Sequence, residues 1–267
     1  MITSARNPKV QHIRALQRLA KRRAEAGAFV VEGVRLAEEA LRSSWPLRLA
    51  LYTAELADRH EGLVRTLHAR GVAEQVSAAV MQAASDTKTP QGILLEVELR
   101  QLPLPKGLNF VLILDGVADP GNQGTLLRSA AATDCDAVLL APGCADPYSP
   151  KVLRSGMGAH FHQPVLNQGW AEIGSLLRQH NLQAFLAEAW QGAPYDKQDL
   201  TRPLALILGG EARGAGEEAA KLAPTPLQIP MPGRVESLNV ATAGSILLFE
   251  IVRQRQTRAG VPPAAQP

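Results

Sequence analysis

Cysteine is nearly absent from this chain, since only Cys135 and Cys144 occur among its 267 residues. Two thiols are too few for the disulfide framework typical of small secreted proteins. Neither cysteine has partner histidines at the spacing of a zinc site. We therefore expect two unpaired thiols and no structural metal.

Long apolar runs are also missing. The longest candidate covers residues 245–252 and stops at Arg253, well short of the ~18 residues that cross a bilayer. The first residues lack the apolar centre of a secretory signal, and residues 1–8 are typical of a cap that leads into a helix. The expected location is the cytoplasm.

Acidic residues are scarce in the first part of the chain. Residues 1–42 contain nine Lys or Arg against four Glu, although the whole chain has a net charge of only +3. Such a basic cluster favours a polyanionic partner, because it binds phosphates and releases counterions. A solvated helix face is the structural alternative, and composition alone leaves both open.

The order of predicted elements divides the chain into four regions. Residues 1–100 predict a small α/β domain, 101–108 a proline-bearing linker, and 258–267 a disordered tail. Within 109–257, continuous apolar runs at 110–114, 137–141, 183–187 and 204–208 alternate with predicted helices at 124–132, 150–157, 170–178 and 240–255. Runs of this kind are typical of strands buried on both faces of a parallel sheet. We therefore predict a doubly wound α/β domain.

Three short segments of this domain contain candidate functional residues. The first, D-G-V-A-D-P-G-N-Q-G-T-L-L-R, follows a strand and contains Asn122 and Arg128, which we expect to converge on one ligand. The alternative is a helix cap plus a surface arginine. The second, I-L-G-G-E-A-R-G, places Gly209 and Gly210 at a strand end, where glycine lets backbone approach a ligand closely. A plain glycine turn is equally compatible, since no dinucleotide or P-loop spacing is present.

The third segment, Q-I-P-M-P-G-R-V-E-S-L-N, leads into an apolar helix. Ile229–Met231 predicts a short strand suited to hold a flat aromatic ring. Ser237 and Asn239 are both natural helix caps. The helix then presents the small residues Ala241, Ala243, Gly244 and Ser245, which permit close packing against the sheet or against a second subunit.

In this order and spacing, the segments N-x-G-x-x-x-R, G-x-E-x-x-G and I-P-M-x-G-x-x-x-S-L-N closely resemble the signature motifs of the SpoU/TrmH branch of the SPOUT methyltransferases. The N-terminal S-A-R-N-P and F-V-V-E-G-V-R-L resemble the substrate-binding domain that often precedes this catalytic domain. The resemblance implies a catalytic fold with a deep trefoil knot, an N-terminal domain like small RNA-binding ribosomal proteins, and a homodimer whose sites are often completed by the partner.

The resemblance also implies a function. The chain would transfer a methyl group from S-adenosylmethionine to a ribose 2′-hydroxyl of RNA, most plausibly ribosomal RNA. Transfer RNA is an alternative substrate, and a non-catalytic RNA-binding assembly factor with a relic cofactor pocket is the alternative from another class. The cofactor would lie against Leu208, Gly209, Gly210, Ile229, Met231, Ser237 and Leu238.

Catalytic roles carry over to Arg128 and to its motif companions Asn122, Glu211, Ser237 and Asn239. Arginine has five donors and no acceptor, so we expect Arg128 to clamp a substrate phosphate and polarise the hydroxyl. A deprotonated Arg128 that acts as the base is the alternative, and it would need strong desolvation or other cations nearby. Glu211 either takes part directly or holds its loop as an acceptor. The basic residues that would engage RNA phosphates are Arg6, Lys9, Lys21, Arg22, Arg23 and Arg35.

Overall fold

The computed structural model describes residues 1–211, 214–223 and 225–260. The chain forms two compact units, of which the first comprises Met1–Arg100 with Asp146–Phe161 and the second Gln101–Ala145 with His162–Pro267. The sequence predicts one continuous catalytic domain over 109–257. The structure differs because residues 146–161 pack with the first unit, where Asp146 pairs with Arg23.

The secondary structure alternates between helices and strands along most of the chain. The strands are β1 (Ala28–Glu32), β2 (Leu47–Tyr52), β3 (Ala73–Gln75), β4 (Ile93–Glu98), β5 (Phe110–Asp115), β6 (Ala137–Leu140), β7 (Val165–Asn167), β8 (Gln183–Glu188), β9 (Ala193–Pro194), β10 (Leu204–Gly209) and β11 (Thr225–Gln228). The helices are α1 (Pro8–Arg18), α2 (Ala20–Ala26), α3 (Val34–Arg42), α4 (Ala54–Arg59), α5 (Glu61–Ala69), α6 (Ala78–Ala84), α7 (Pro120–Ala132), α8 (Pro150–Gly156), α9 (Trp170–Gln179), α10 (Glu217–Leu222) and α11 (Val240–Ala259). Short 3₁₀ turns lie at Ala159–Phe161 and Tyr195–Lys197.

The first unit is built on a four-stranded mixed sheet with the strand order β1-β4-β2-β3. Helix α1 begins at Pro8, where the Asn7 side chain accepts a hydrogen bond from the Lys9 amide, and it buries Val10, Ile13 and Leu16. The chain breaks at Leu19, whose backbone is extended, so the basic segment after the predicted cap forms two helices, α1 and α2. On the other side, Phe29 packs against an aromatic group of Trp45, Tyr148 and Phe161.

The second unit is built on a seven-stranded parallel sheet with the order β7-β6-β5-β10-β8-β11-β9. Central strands β5, β6 and β10 are buried along nearly their whole length, as their apolar runs predicted. Helices α9 and α10 cover one face, while α7 and α11 pack together on the other. The predicted α/β fold with a parallel sheet is therefore confirmed. The trefoil knot stays a prediction.

Helix α11 packs so closely on its own unit that Gly244 is required. A Cβ at this position would meet Leu126 at 2.4 Å and Leu208 at 2.5 Å. One residue on, Ser245 Oγ lies 2.8 Å from Ser129 Oγ of α7. Two of the small residues of α11, Gly244 and Ser245, therefore pack within the chain.

Two predicted boundaries in this region are wrong. The third segment's strand is β11, which ends at Gln228, so Ile229–Met231 follow the strand instead of forming it. Helix α11 continues to Ala259 and ends at Gly260, whose φ of +65° is left-handed. The predicted tail therefore cannot begin at Arg258, and residues 261–267 lie outside the described residues.

Candidate active site

The carboxyl edge of the parallel sheet brings the three sequence segments together. Strand β10 pairs with β5 so that Gly209 lies opposite Asp115, which joins the start of the first segment to the second. On the other side of β10, β8 pairs with β11, after which the third segment continues. Ligands of open α/β sheets bind at this edge, where neighbouring strands lead to helices on opposite faces.

A cavity of about 550 Å³ opens at this edge. Its walls include every residue predicted to contact a cofactor, namely Leu208, Gly209, Gly210, Ile229, Met231, Ser237 and Leu238. A further wall, formed by the end of β8 and the residues after it, was not predicted; it consists of Ala187, Glu188, Ala189 and Trp190. The signal was present, because β8 was predicted as a buried strand of the same sheet and its carboxyl end had to reach the same edge.

The paired glycines allow the loop after β10 to fold tightly. A Cβ on Gly209 would lie 2.3 Å from the Ala215 amide nitrogen, and one on Gly210 would lie 2.3 Å from the Gly116 carbonyl oxygen. The same loop is held by Asp115, whose Oδ2 accepts a hydrogen bond of 2.7 Å from the Gly216 amide. The glycines therefore serve close backbone packing within the chain as well as lining the cavity.

A polar network joins one residue from each of the three segments. The Asn122 side-chain amide donates to Glu211 Oε1, and Asn239 Nδ2 donates to Asn122 Oδ1 at 3.0 Å. Asn239 Oδ1 in turn accepts from the Ala241 amide at 2.9 Å and caps α11. Asn239 is therefore both a helix cap and a member of this network. Glu211 and Asn239 also line the cavity.

Asn122 is a helical residue, contrary to the loop position that the sequence favoured. Helix α7 begins at Pro120, and its N-cap is Asp119. The Asp119 side chain accepts a hydrogen bond of 2.9 Å from the backbone amide of Asn122. Pro120 occupies the first helical position, where its missing N–H costs nothing. Asn122 is thus free of a capping role and directs its side chain into the network.

Arg128 is exposed on α7 and is not among the described residues that line the cavity. Six residues at about 100° each separate it from Asn122 by roughly 240° around the helix. The two side chains therefore leave the helix in different directions, and their convergence on one ligand stays a prediction. Ser237 does line the cavity, but the cap of α11 is Asn239, so the alternative of Ser237 as the cap is wrong.

The predicted RNA-binding residues differ in exposure. Arg6, Lys9, Lys21, Arg22 and Arg35 are exposed, with Lys9 paired to Glu74 and both Lys21 and Arg22 beside Glu25. Arg23 is different, because its side chain is only 6% exposed and binds Asp146 and the carbonyl oxygens of Leu16 and Gln17. Its guanidinium is buried and bound inside the first unit, so the prediction that Arg23 contacts RNA is wrong.

The two cysteines are free thiols, with Cys135 buried and Cys144 partly buried. Burial raises the pKa of the Cys135 thiol to about 12, and burial also raises the pKa of Cys144. Among the described residues, no group of three or more His, Cys, Asp or Glu is placed to hold a metal ion. No helix of the described part of the chain is long and apolar enough to span a membrane.

Comparison with known proteins gives two family matches. Residues 109–249 match the SpoU rRNA Methylase family, and residues 7–95 match the MRM3-like substrate binding domain. Together the two matches cover most of the chain.

Individual relatives match over almost their whole length. The 23S rRNA (guanosine(2553)-2′-O)-methyltransferase RlmP of Bacillus subtilis is 35% identical, over 94% of this chain and 98% of that protein. The 23S rRNA (uridine(2479)-2′-O)-methyltransferase of Streptomyces viridochromogenes is 30% identical, over 94% and 92%. The crystal structure of an AdoMet-bound rRNA methyltransferase from Sinorhizobium meliloti is 31% identical with a TM-score of 0.82, and the match covers 94% of this chain and 97% of that one.

Proposed function

The chain belongs to the SpoU rRNA methylase family, and we propose that it transfers a methyl group from S-adenosylmethionine to a ribose 2′-hydroxyl of ribosomal RNA. The observation that carries this proposal is the meeting of the three segments at one cavity, with the network of Asn122, Glu211 and Asn239 at its edge. The two relatives methylate different nucleosides of 23S rRNA, so their names leave the target nucleotide open.

The cavity fits this cofactor. It combines an apolar part with Ile229, Met231 and Leu238, suited to a flat adenine, with the strand end Leu208–Gly210, whose two glycines let a ligand approach the backbone closely. Bound there, S-adenosylmethionine supplies an electrophilic methyl group. The absence of any Lys or Arg among the described residues of the wall suits a ligand that carries a sulfonium charge.

The ribose hydroxyl is a poor nucleophile and must lose its proton during the transfer. Arginine retains its proton in proteins and offers only donors, so Arg128 is assigned to clamp a substrate phosphate and to polarise the hydroxyl. The clamped phosphate or a neighbouring group takes up the proton. Glu211 is assigned as the acceptor that orients the Asn122 amide, because its Oε1 already accepts from that amide.

RNA is held by the exposed basic residues of the first unit. Arg6, Lys9, Lys21, Arg22 and Arg35 fill this role, and Arg23 is left out because it is buried. Contacts to phosphates fix the position of the RNA and carry little sequence information.

A homodimer completes the proposal. Arg128 lies outside the cavity of its own chain, which supports a site that a second subunit completes. Helix α11 leaves Phe249 53% exposed, with Thr242, Ile246 and Val252 on the same side of the helix by their spacing. This face, which also carries Arg253 paired with Glu250, is assigned to the dimer contact. The bacterial relatives favour the cytoplasm, where bacterial ribosomes are assembled, as the place of action.

The direct test is methyl transfer in vitro. The protein is incubated with S-adenosylmethionine labelled in its methyl group and with total RNA from a strain that lacks the gene. We expect label in ribosomal RNA, and after alkaline hydrolysis the label should remain in dinucleotides, because a 2′-O-methyl group blocks cleavage of the adjoining phosphodiester. Lack of incorporation by a protein that binds the cofactor would contradict the proposal. Arg128→Ala should bind the cofactor normally and transfer no label.

A further inference from the structure

Trp190 is a large aromatic residue that neither the motifs nor the polar network uses. Its side chain is 65% exposed, and it lines the cavity beside Ala187 and Ala189. Singly exposed apolar side chains are common on protein surfaces, so exposure by itself indicates no role. Its position in the sheet is more informative.

The loop that carries Trp190 is anchored on both sides to β11. The Gln228 side-chain amide donates to the Ala189 carbonyl oxygen at 3.2 Å. Gly192 has a φ of +116°, and a Cβ there would lie 2.4 Å from the Pro226 carbonyl oxygen, so only glycine permits this approach. The indole is thus exposed on a loop whose backbone is fixed.

The strand register places Trp190 next to the third segment. Ala187 of β8 pairs with Leu227 of β11, and Glu188 pairs with Gln228. Trp190 follows β8 by two residues, and Ile229 follows β11 directly, so the two segments leave the sheet side by side. Asn122 belongs to α7, which follows β5, and β5 lies on the far side of β10 from β8. The cavity therefore has a polar end beside Asn122 and a mainly apolar end beside Ile229 and Trp190, where Glu188 is the charged lining residue next to Trp190.

This polarity orients the cofactor, and the inference rests on the proposed function. The methyl group must be presented at the polar end, where the hydroxyl is activated. The adenine, which lies across the ribose from the sulfonium, then falls at the apolar end. We propose that Trp190 stacks on the adenine and forms the outer wall of that subsite. The small side chains of Ala187 and Ala189 leave room for the two ring systems to lie face to face.

Affinity measurements on the full chain test the stacking. Calorimetry with S-adenosylhomocysteine and with 5′-methylthioadenosine, which keeps the adenosine and lacks the amino-acid part, should show both ligands weakened about tenfold by Trp190→Ala. Trp190→Phe retains a ring and should stay within about threefold of wild type. In turnover, the KM for S-adenosylmethionine should rise while kcat at saturation is unchanged, because the indole touches no reacting atom.

Fluorescence supplies a readout that does not depend on activity. The chain has three tryptophans; Trp45 is 3% exposed in the first unit, and Trp170 is partly buried in the core of the second. S-adenosylhomocysteine should quench the emission of wild type and of the matched control Trp170→Phe. The quenching should disappear in Trp190→Phe.

The outcomes separate this inference from the proposed function. If wild type fails to bind S-adenosylhomocysteine, both are overturned. If wild type binds it and Trp190→Ala binds it equally well, only the stacking assignment is overturned. The same holds if Trp190→Ala loses affinity for RNA alone, since the indole would then contact an RNA base.

Discussion

Replacement of Arg23 by Met tests whether exposure decides which basic residues of the first unit meet RNA. The Arg23 Nε donates to Asp146 Oδ2 at 2.9 Å, and its Nη1 donates to the carbonyl oxygens of Leu16 at 2.6 Å and Gln17 at 3.1 Å. Those two carbonyls belong to the last turn of α1, where basic side chains commonly satisfy the free acceptors. Arg23→Met therefore leaves one carboxylate and two carbonyls without their partner.

The burial of the Arg23 side chain sets how much Arg23→Met lowers the free energy of unfolding. Removing one member of a buried ion pair destabilises a protein by about 3–5 kcal/mol. Asp146 is 30% exposed, so water can solvate part of its charge and lower the cost. The Met side chain replaces most of the buried aliphatic stem. We expect about 3 kcal/mol, a large share of the roughly 5–15 kcal/mol that holds a typical domain folded.

Urea unfolding and RNA binding are measured on the same variants. Arg23→Met should lower the unfolding midpoint and leave RNA affinity unchanged under conditions where it is folded. The matched control is Arg22→Met, whose native side chain is 61% exposed. It should keep stability within about 0.5 kcal/mol while it weakens RNA binding and reduces the slope of log affinity against log salt by about 0.7–0.9.

The reverse pattern would refute this reasoning. If Arg23→Met were as stable as wild type and bound RNA more weakly, Arg23 would be a phosphate ligand and the buried pair with Asp146 would not exist in solution. Unchanged RNA binding by Arg22→Met would separately remove that residue from the proposed surface.

Three further predictions concern the dimer and pH. A mixture of inactive Arg128→Ala with a Gly209→Ala variant that has lost cofactor binding should recover part of wild-type activity if each site uses Arg128 from the second subunit; no recovery would place the site within one chain. Phe249→Glu should shift the protein from dimer to monomer in analytical ultracentrifugation, and a monomeric wild type would contradict the assigned interface. Burial lowers the pKa of His160 to about 4, against the raising effect of its hydrogen bond to the Pro147 carbonyl. Because the unfolded chain takes up this proton near pH 6.5, stability should fall by about 3 kcal/mol as the pH drops from 6.5 to 4, and His160→Gln should flatten that slope; an equal slope in both proteins would refute the assignment.

The apolar runs predicted the central strands well, because strands β5, β6 and β10 are buried on both faces and need continuous apolar sequence. Strand β8 is buried only in its middle three residues, and its run was still recognised. The start of α7 was misplaced, although Asp119 before Pro120 is a recognisable cap followed by a first-turn proline. The sequence predicts the helix from residue 124, because Pro120, Gly121 and Asn122 are also typical of a turn. A helix start and a tight turn use the same residue types, so local sequence did not separate them.

The cofactor wall could be predicted only in part. The motif residues were identified because their spacing is specific, whereas Trp190 follows an ordinary strand and belongs to no motif. Its place beside Ile229 depends on the pairing of β8 with β11. The paired residues Glu188 and Gln228 are 40 positions apart, and strands β9 and β10 lie between them in sequence. Periodicity predicts the strands but not their lateral order.

The burial of Arg23 could not be predicted from the local sequence either. Its neighbours Lys21 and Arg22 are exposed, and composition treats all three alike. Arg23 is buried because α2 packs against β1 and because Asp146, more than a hundred residues later, supplies its partner. No local pattern contains that contact.

The central claim is ribose methylation of ribosomal RNA, and mapping of 2′-O-methyl groups across all ribosomal RNA positions tests it most directly. RNA is compared from wild-type cells, from cells without the gene, and from cells that express Arg128→Ala in its place. We predict that one or a few 2′-O-methyl positions disappear without the gene, return with the wild-type protein, and stay absent with Arg128→Ala. An unchanged ribose methylation pattern, or the loss of a methyl group from a base, would contradict the account.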